Sequence, residues 1–334
     1  MKKTKISALA VALTFVVGAF FGCNKEKDKE LTVYLPDGAP ALALAGMMAN
    51  DTENDGVAYR VVSPSVIATK VTNTADEKNA DVCVMPITAA SKLLGNGENY
   101  QMLGAVTHGN LYMVAKNAET VYTLETLSLL VGQTVGVLQI NEVPGLTFKA
   151  VLNKYGVSWQ EVSEGQEKSA DKVNLVAITG AEAVGVVQAD CFVLAEPAAS
   201  AQRQKGYTIV GDMQALYGGE NGYTQAVAVA KTSLTADGAW AEEFTEKLKT
   251  SIEWLKTADG AQIVSAVSAH MEDKGVATSL KAPLLSAEVV ARCGVRFAKA
   301  TECKTATEEF LRALLAVNEK SAAIPNEAFY YTAE

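Results

Sequence analysis

Two stretches of this chain spell the same passage. Ala80–Ser91 reads ADVCVMPITAAS and Ala189–Ser200 reads ADCFVLAEPAAS, and six of the twelve positions are identical without a gap. In each, a short apolar run suited to a buried strand leads into an alanine-rich segment suited to a helix. A second pair keeps the same order: TVYL before PDGAP, and TVGVL before EVPG. LYMVAK (Leu111–Lys116) and QAVAVAK (Gln225–Lys231) also share an ending, Val-Ala-Lys. A chain that repeats its strand-to-helix passages in this way is expected to build two α/β units on one plan, crossing to the second and coming back.

The intervening sequence supports that plan. Strands are expected at Leu31–Leu35, Val57–Val62, Asp81–Met85, Gln101–Thr107, Gln133–Leu138 and Val173–Ile178. Helical segments alternate with them: from Pro40, whose missing N–H suits a first helical turn, over Ser65–Asn73, up to about Leu94, and from Leu146 to a terminating Gly156. Such alternation implies βαβ units and parallel sheets. Thr179 with Glu182, and Thr305 with Glu308, have capping-box spacing. Trp240, Phe244, Leu248, Ile252 and Leu255 form a core stripe on a helix over Asp237–Thr257, and VRFAK reads as an edge strand.

The N-terminus carries a different signal. Lys2, Lys3 and Lys5 precede an uncharged run from Ile6 to Phe21, closed by Gly22-Cys23 and a polar stretch. This resembles a bacterial lipoprotein signal, with residues 1–22 removed, Cys23 lipidated and 23–30 a polar tether. Phe20 and Phe21 depart from the usual Leu and small residue before the cysteine; a plain secretory peptide or short anchor is the alternative. Either places the bulk of the chain in the cell envelope, outside the cytoplasm.

About 310 residues remain, enough for two domains of ~100–200 residues each. A net charge of −9 argues against nucleic acid, whose phosphates need a basic footprint. Five cysteines reduce to four after lipidation, too few for a disulfide scaffold. Cys83 and Cys191 fall in apolar strands as buried thiols, while Cys293 and Cys303 are either free or bridged. Two histidines and no Cys-x-x-Cys give no metal site, and no cofactor is expected.

Ligands of open parallel sheets bind at the carboxyl ends of strands. Those ends are Pro36–Pro40, Pro86–Thr88, Thr107–Asn110, Gln139–Gly145, Thr179–Glu182 and Ala195–Pro197. Two such sets facing each other would make a cleft for a small molecule.

With the signal, the doubled βα plan, and the segments PDGAPALALA, VPGLTFKAVLNKYG, EPAAS and closing FYY, residues 31–330 resemble substrate-binding lipoproteins of bacterial ABC importers. Within these they resemble the type II periplasmic binding proteins, near the nitrate, sulfonate and thiamine-precursor branch. The resemblance implies an α/β fold of two lobes, each a mostly parallel sheet flanked by helices. Residues 31–113 plus 227–330 would form lobe 1 and 114–226 lobe 2. It implies a monomeric, non-enzymatic receptor that closes on solute and docks on a permease with its ATPase. The solute loops carry over onto Asp37, Gly38, Ala39, Ile87, Thr88, His108, Gly109, Asn110, Asn141, Glu142, Pro144, Gly145 and Glu196.

The loops carry three acids, with His108 their one titratable base. Ionised carboxylates only accept hydrogen bonds, which favours a neutral or cationic nitrogenous solute, such as a thiamine-precursor-like heterocycle. Equally, Asp37, Glu142 and Glu196 each sit where an acid caps a helix. The alternatives are a sulfonate or nitrate-type anion, or an enzyme of the menaquinone-synthesis type, which shares the fold; a Cys83–His108 nucleophile pair is the residue-level version of the last. Tyr34, Tyr112 and Tyr223 are either stacking partners for a heterocycle or core.

Overall fold

The computed structural model describes residues 30–50, 56–116, 119–163, 165–218 and 221–333. The signal region, Cys23 and all but the last residue of the tether lie outside them. In chain order the elements are β1 (Leu31–Pro36), α1 (Ala39–Leu42), α2 (Ala45–Ala49), β2 (Val57–Val62), β3 (Val82–Pro86), α3 (Ile87–Leu94), β4 (Tyr100–Thr107), β5 (Leu111–Lys116), β6 (Thr134–Leu138), α4 (Val143–Lys154), β7 (Trp159–Glu161), β8 (Val173–Ile178) and β9 (Cys191–Ala195). Then come α5 (Ala198–Ala201), β10 (Tyr207–Asp212), α6 (Met213–Gly218), β11 (Ala226–Lys231), α7 (Thr232–Thr235), α8 (Gly238–Trp254), α9 (Gly260–Ala269), α10 (Ala287–Arg292), β12 (Val295–Lys299) and α11 (Ala300–Val317).

The strands form two six-stranded sheets, ordered β12-β4-β11-β3-β1-β2 and β10-β5-β9-β6-β8-β7. The chain leaves the first sheet after Thr107, enters the second at Leu111, and returns between Asp212 and Ala226. In each lobe a Val-Ala-Lys strand runs antiparallel to an Ala-Asp strand: β11 beside β3, and β5 beside β9. Both received strands follow directly on a crossing. The doubled passages therefore occupy equivalent places in two lobes.

Apolar periodicity decides what packs where. Phe244, Leu248, Ile252 and Leu255 of the α8 stripe are buried with Leu42, Ile263 and Val289 against one face of the first sheet. Trp240 at its start is only half-buried. Asp237 caps α8 by accepting from Ala239 N and Trp240 N. A larger core runs through both lobes, from Met85 and Ile87 by way of Tyr223 and Phe310 to Phe148 and Val137. The other face of the second sheet is covered by Ile178, Val184, Phe192, Leu194 and Ala199.

Several local expectations are corrected. The segment after β2 is a 3-10 helix over Pro64–Lys70. Gly180, not Thr179, precedes the short turn Ala181–Ala183, and no side chain caps it. Thr305 lies inside α11, which starts at Ala300 with Glu302 Oε2 accepting from Lys299 N. An S/T-x-x-E pattern is compatible with a helix interior as well as a start, so spacing alone misplaced this boundary. VRFAK does form the outer strand β12. Cys83, Cys191, Cys293 and Cys303 are all buried and free.

Candidate functional site

Strands β1, β3 and β4 run in one direction, so Pro36, Pro86 and Thr107 end on one edge of the first sheet. In the second sheet β6, β8 and β9 likewise end together. The two crossing segments join these edges and are bonded to one another. Gln225 N donates to Thr107 O at 2.9 Å and Tyr223 N to His108 O at 3.4 Å. Gly109 takes φ +85°, and a Cβ there would lie 2.7 Å from both Gln214 and the Tyr223 ring. Only glycine lets the crossing strand pass so close.

The first lobe contributes the loop after β1. Asp37 Oδ1 accepts from Thr278 Oγ at 2.5 Å and Oδ2 from Ser279 N at 2.6 Å. Its carboxylate thus secures a distant loop and does not cap α1, whose N-cap is Gly38 at φ 101°. Ala39 and Ile87 are buried in the core. Thr88 is buried in the first turn of α3, an eight-residue helix with no side-chain cap.

The second lobe contributes the loop after β6. Glu142 is the N-cap residue of α4, yet its side chain makes no capping bond and is exposed. Asn141 is exposed too, its Oδ1 3.4 Å from Lys149 Nζ, and that buried lysine pairs with Glu161 at 2.6 Å. Pro144 and Gly145 are buried in the first turn, where a Cβ on Gly145 would lie 2.2 Å from Ile140 O.

Glu196 is the largest departure from the sequence reading. Its side chain is fully buried and fully engaged. Oε1 accepts from Arg292 Nε at 2.7 Å and Ser200 Oγ at 2.7 Å, and Oε2 from Ser200 N at 3.0 Å. It therefore both caps the turn at Ser200 and pairs with a cation. Arg292, on α10, is the partner that sequence reasoning missed; nothing local to it signals a partner 96 positions away. With Asp37 and Glu196 both satisfied internally, the expected acidic cleft for a cationic solute has no free carboxylate at these two positions.

Among the described residues, Gln202, Ser321 and Tyr330 each bury one unsatisfied side-chain atom, and the crossing segments hold four more. Thr107 Oγ1, His108 Nε2, Asn110 Oδ1 and Gln225 Oε1 are buried without a hydrogen-bond partner. Asn110 Nδ2 donates to Glu196 O at 3.2 Å, which fixes Oδ1 as the idle acceptor. Burial, then the charge of Arg296, pushes the His108 imidazole down to about 4, so it is neutral at ordinary pH.

The remaining candidates fall away on geometry. Tyr112 and Tyr223 are buried core, and Tyr34 donates to Glu272 at 3.1 Å. Cys83 is fully buried and its thiol is pushed well above the usual range by burial, which opposes a nucleophilic role. Among the described residues no three His, Cys, Asp or Glu are grouped to hold a metal, and no helix is long and apolar enough to cross a membrane.

No family model and no curated protein matches this chain. Solved structures do. An ABC transporter from Parabacteroides distasonis superposes with a TM-score of 0.71 at 19% identity, over 92% of this chain and 100% of that one. The periplasmic aliphatic sulphonate binding protein of Escherichia coli gives 0.62 at 13%, over 92% and 93%. The zinc-bound ligand-binding component of an ABC-type import system from Staphylococcus aureus gives 0.57 at 12%, over 91% and 98%. Likeness at such identities is likeness of fold, and the fold is the two-lobed type II periplasmic-binding-protein fold of these neighbours.

Proposed function

We propose that this chain is an extracytoplasmic solute receptor of an ABC importer, tethered through lipid on Cys23, that closes on a small organic solute and delivers it to a permease and its ATPase. On this reading its lobes are residues 31–113 with 227–330, and 114–226. The observation that carries the reading is the cluster of idle polar atoms on Thr107, His108, Asn110 and Gln225, all at the crossing between lobes. A buried polar atom without a partner costs about 1–3 kcal/mol, a cost that a solute would remove once the lobes part to admit it.

Those atoms also narrow the solute. Asn110 Oδ1 is an acceptor, and His108 is neutral. They suit a neutral molecule carrying N–H or O–H donors, such as a nitrogenous heterocycle of the thiamine-precursor kind. A second reading, a sulfonate or nitrate-type anion, draws on the N-termini of α3 and α4, which no side chain caps.

A thermal-shift screen with nitrogen heterocycles and with small oxyanions, including taurine and nitrate, separates the two. Ligand at ~100 times its Kd adds about 2.7 kcal/mol of stability. A shift with heterocycles that is lost in Asn110→Ala supports the neutral solute. A shift confined to oxyanions selects the anion, and silence in both sets counts against a small-solute receptor of either kind.

A further inference from the structure

Arg292 joins the two lobes chiefly by its side chain. Its helix, α10, is rooted in the first lobe by Val289 and Val290, with Cys293 following, all three buried in that lobe's core. Its guanidinium reaches the second lobe. Nε donates to Glu196 Oε1 at 2.7 Å, and Nη2 to Ser200 Oγ at 2.6 Å. Nη1 pairs with Glu288 on its own helix, and Glu288 is 3.5 Å from Arg203 of the second lobe. Four charges of alternating sign, Arg203, Glu288, Arg292 and Glu196, thus run across the boundary.

Both ends of the central pair are held in place. Glu196 is bonded through its backbone to Asn110 on the crossing segment, its N–H donating to Asn110 O at 2.8 Å. On the other side, Tyr112 OH donates to Arg292 O at 3.3 Å. The Glu196 side chain has no exposure and that of Arg292 is 17% exposed, so the pair is little screened by water or salt. A guanidinium fork fixes direction as well as distance, because two of its N–H groups must meet two acceptors at once.

From this geometry we infer that Arg292 is a positioning residue of the solute site: its bonds to Glu196 and Ser200 set the angle between the lobes before any solute arrives. The inference goes beyond the receptor reading, since it concerns the empty protein. If the pair were only a stabilising contact, removing it would lower stability and leave the angle unchanged.

Pulsed electron resonance between spin labels at Leu93→Cys and Val186→Cys tests this. These sites are exposed, on opposite lobes, and the full chain carrying Cys23→Ser leaves only buried thiols among the described residues beside them. Without solute, the parent should give one narrow distance distribution. Arg292→Gln and, independently, Glu196→Gln should each lengthen and broaden it. The exchanged pair Arg292→Glu with Glu196→Arg should return it toward the parent. Distributions for both single variants that overlay the parent overturn the inference, whatever the solute proves to be. Should Arg292→Gln not fold, Glu196→Gln alone decides, because its amide preserves shape while removing the charge and one of the two acceptor oxygens.

Discussion

Thr32 and Asp81 hold each other from both sides. Thr32 N and its hydroxyl donate to Asp81 Oδ2 at 2.9 and 3.0 Å, while Asp81 N donates to Thr32 O at 3.0 Å. Thr134 and Asp190 repeat the arrangement in the second lobe: Thr134 N donates to Asp190 Oδ2 at 2.7 Å and Asp190 N to Thr134 O at 2.9 Å. The aspartate of each Ala-Asp passage thus clamps the threonine at the start of the neighbouring parallel strand, the second residue of β1 or the first of β6. The repeated spelling preserves a repeated strand junction.

Among the described residues, only the first clamp has the bond from the threonine hydroxyl, and only the first has a lysine partner. Lys231 Nζ lies 3.2 Å from Asp81 Oδ1, with both side chains more than nine-tenths buried. Asp81→Ala removes that lysine's buried partner and leaves it Asp76, whose Oδ2 is at 3.5 Å and whose carbonyl is at 3.1 Å. Breaking a buried pair costs about 3–5 kcal/mol, so the loss should fall toward the lower end. Asp190→Ala removes mainly hydrogen bonding and should cost about 1 kcal/mol. Urea unfolding of both variants checks the order; equal losses would contradict it.

Acid should act on the same clamp. Burial pushes the Asp81 carboxyl up, but the bonds from Thr32 and the charge of Lys231 outweigh it and hold the group below its ordinary 3.8. A depressed folded-state value gives stability that is complete above 3.8 and lost as pH falls through the folded value. Below pH 4, the stability curve of Asp81→Asn should therefore be flatter than that of the parent.

His108 titrates with the opposite chemistry and the same direction. Its ordinary value is 6.5 and its folded value about 4, so its neutral form is favoured in the fold. Stability from this group is whole above 6.5 and declines as pH drops from there toward 4. An NMR titration should find its imidazole midpoint near 4, with solute affinity level between pH 6.5 and 8. A midpoint near 6.5 would show that the ring is hydrated.

Cys293 and Cys303 should behave as two inert thiols. Burial pushes Cys293 up to about 12 and raises Cys303, so neither is a thiolate at neutral pH. Ellman's reagent should react with the native fold negligibly and with the denatured chain fully, and the intact mass should show no loss of two hydrogens.

Glycines at positive φ should separate by neighbourhood. A Cβ on Gly294, at φ +65°, would lie 2.0 Å from Gly109 O beneath the crossing; on Gly156, at φ +67°, it would meet nothing within 4 Å. Gly156→Ala should cost about 1–2 kcal/mol for conformation alone. Gly294→Ala should cost more, and should also weaken solute binding by disturbing His108, whose N–H donates to Gly294 O.

Much of the fold is legible in the chain because strand pattern and repeat are local properties. VNLVAI, DVCVM and ADCFVLA announce their strands, and the paired endings announce which lobe receives them. The site is legible only as a set of loops. Whether Glu196 faces solvent, a solute or a guanidinium depends on where α10 lies, and that depends on packing among residues nearly a hundred positions away. The acids of the site read the same in sequence whether idle or engaged. Asp37 is engaged by Thr278 and Ser279, again from a segment no spacing rule reaches. Helix boundaries failed for a simpler cause, since Thr305 and Glu308 satisfy a start pattern within a helix already under way.

The placement of β11 between β4 and β3 gives the two lobes unequal histories. The second sheet is drawn from one unbroken stretch, Leu111 to Asp212, and every strand it needs has been made once that stretch emerges. The first cannot close then. Its β1–β3 half and its β4 remain unjoined until Ala226–Lys231 arrives, so the lobe that begins first is the last to be completed. A chain that emerges N-terminus first thereby leaves that lobe unsealed for most of its synthesis, and only its final third turns two partial sheets into one.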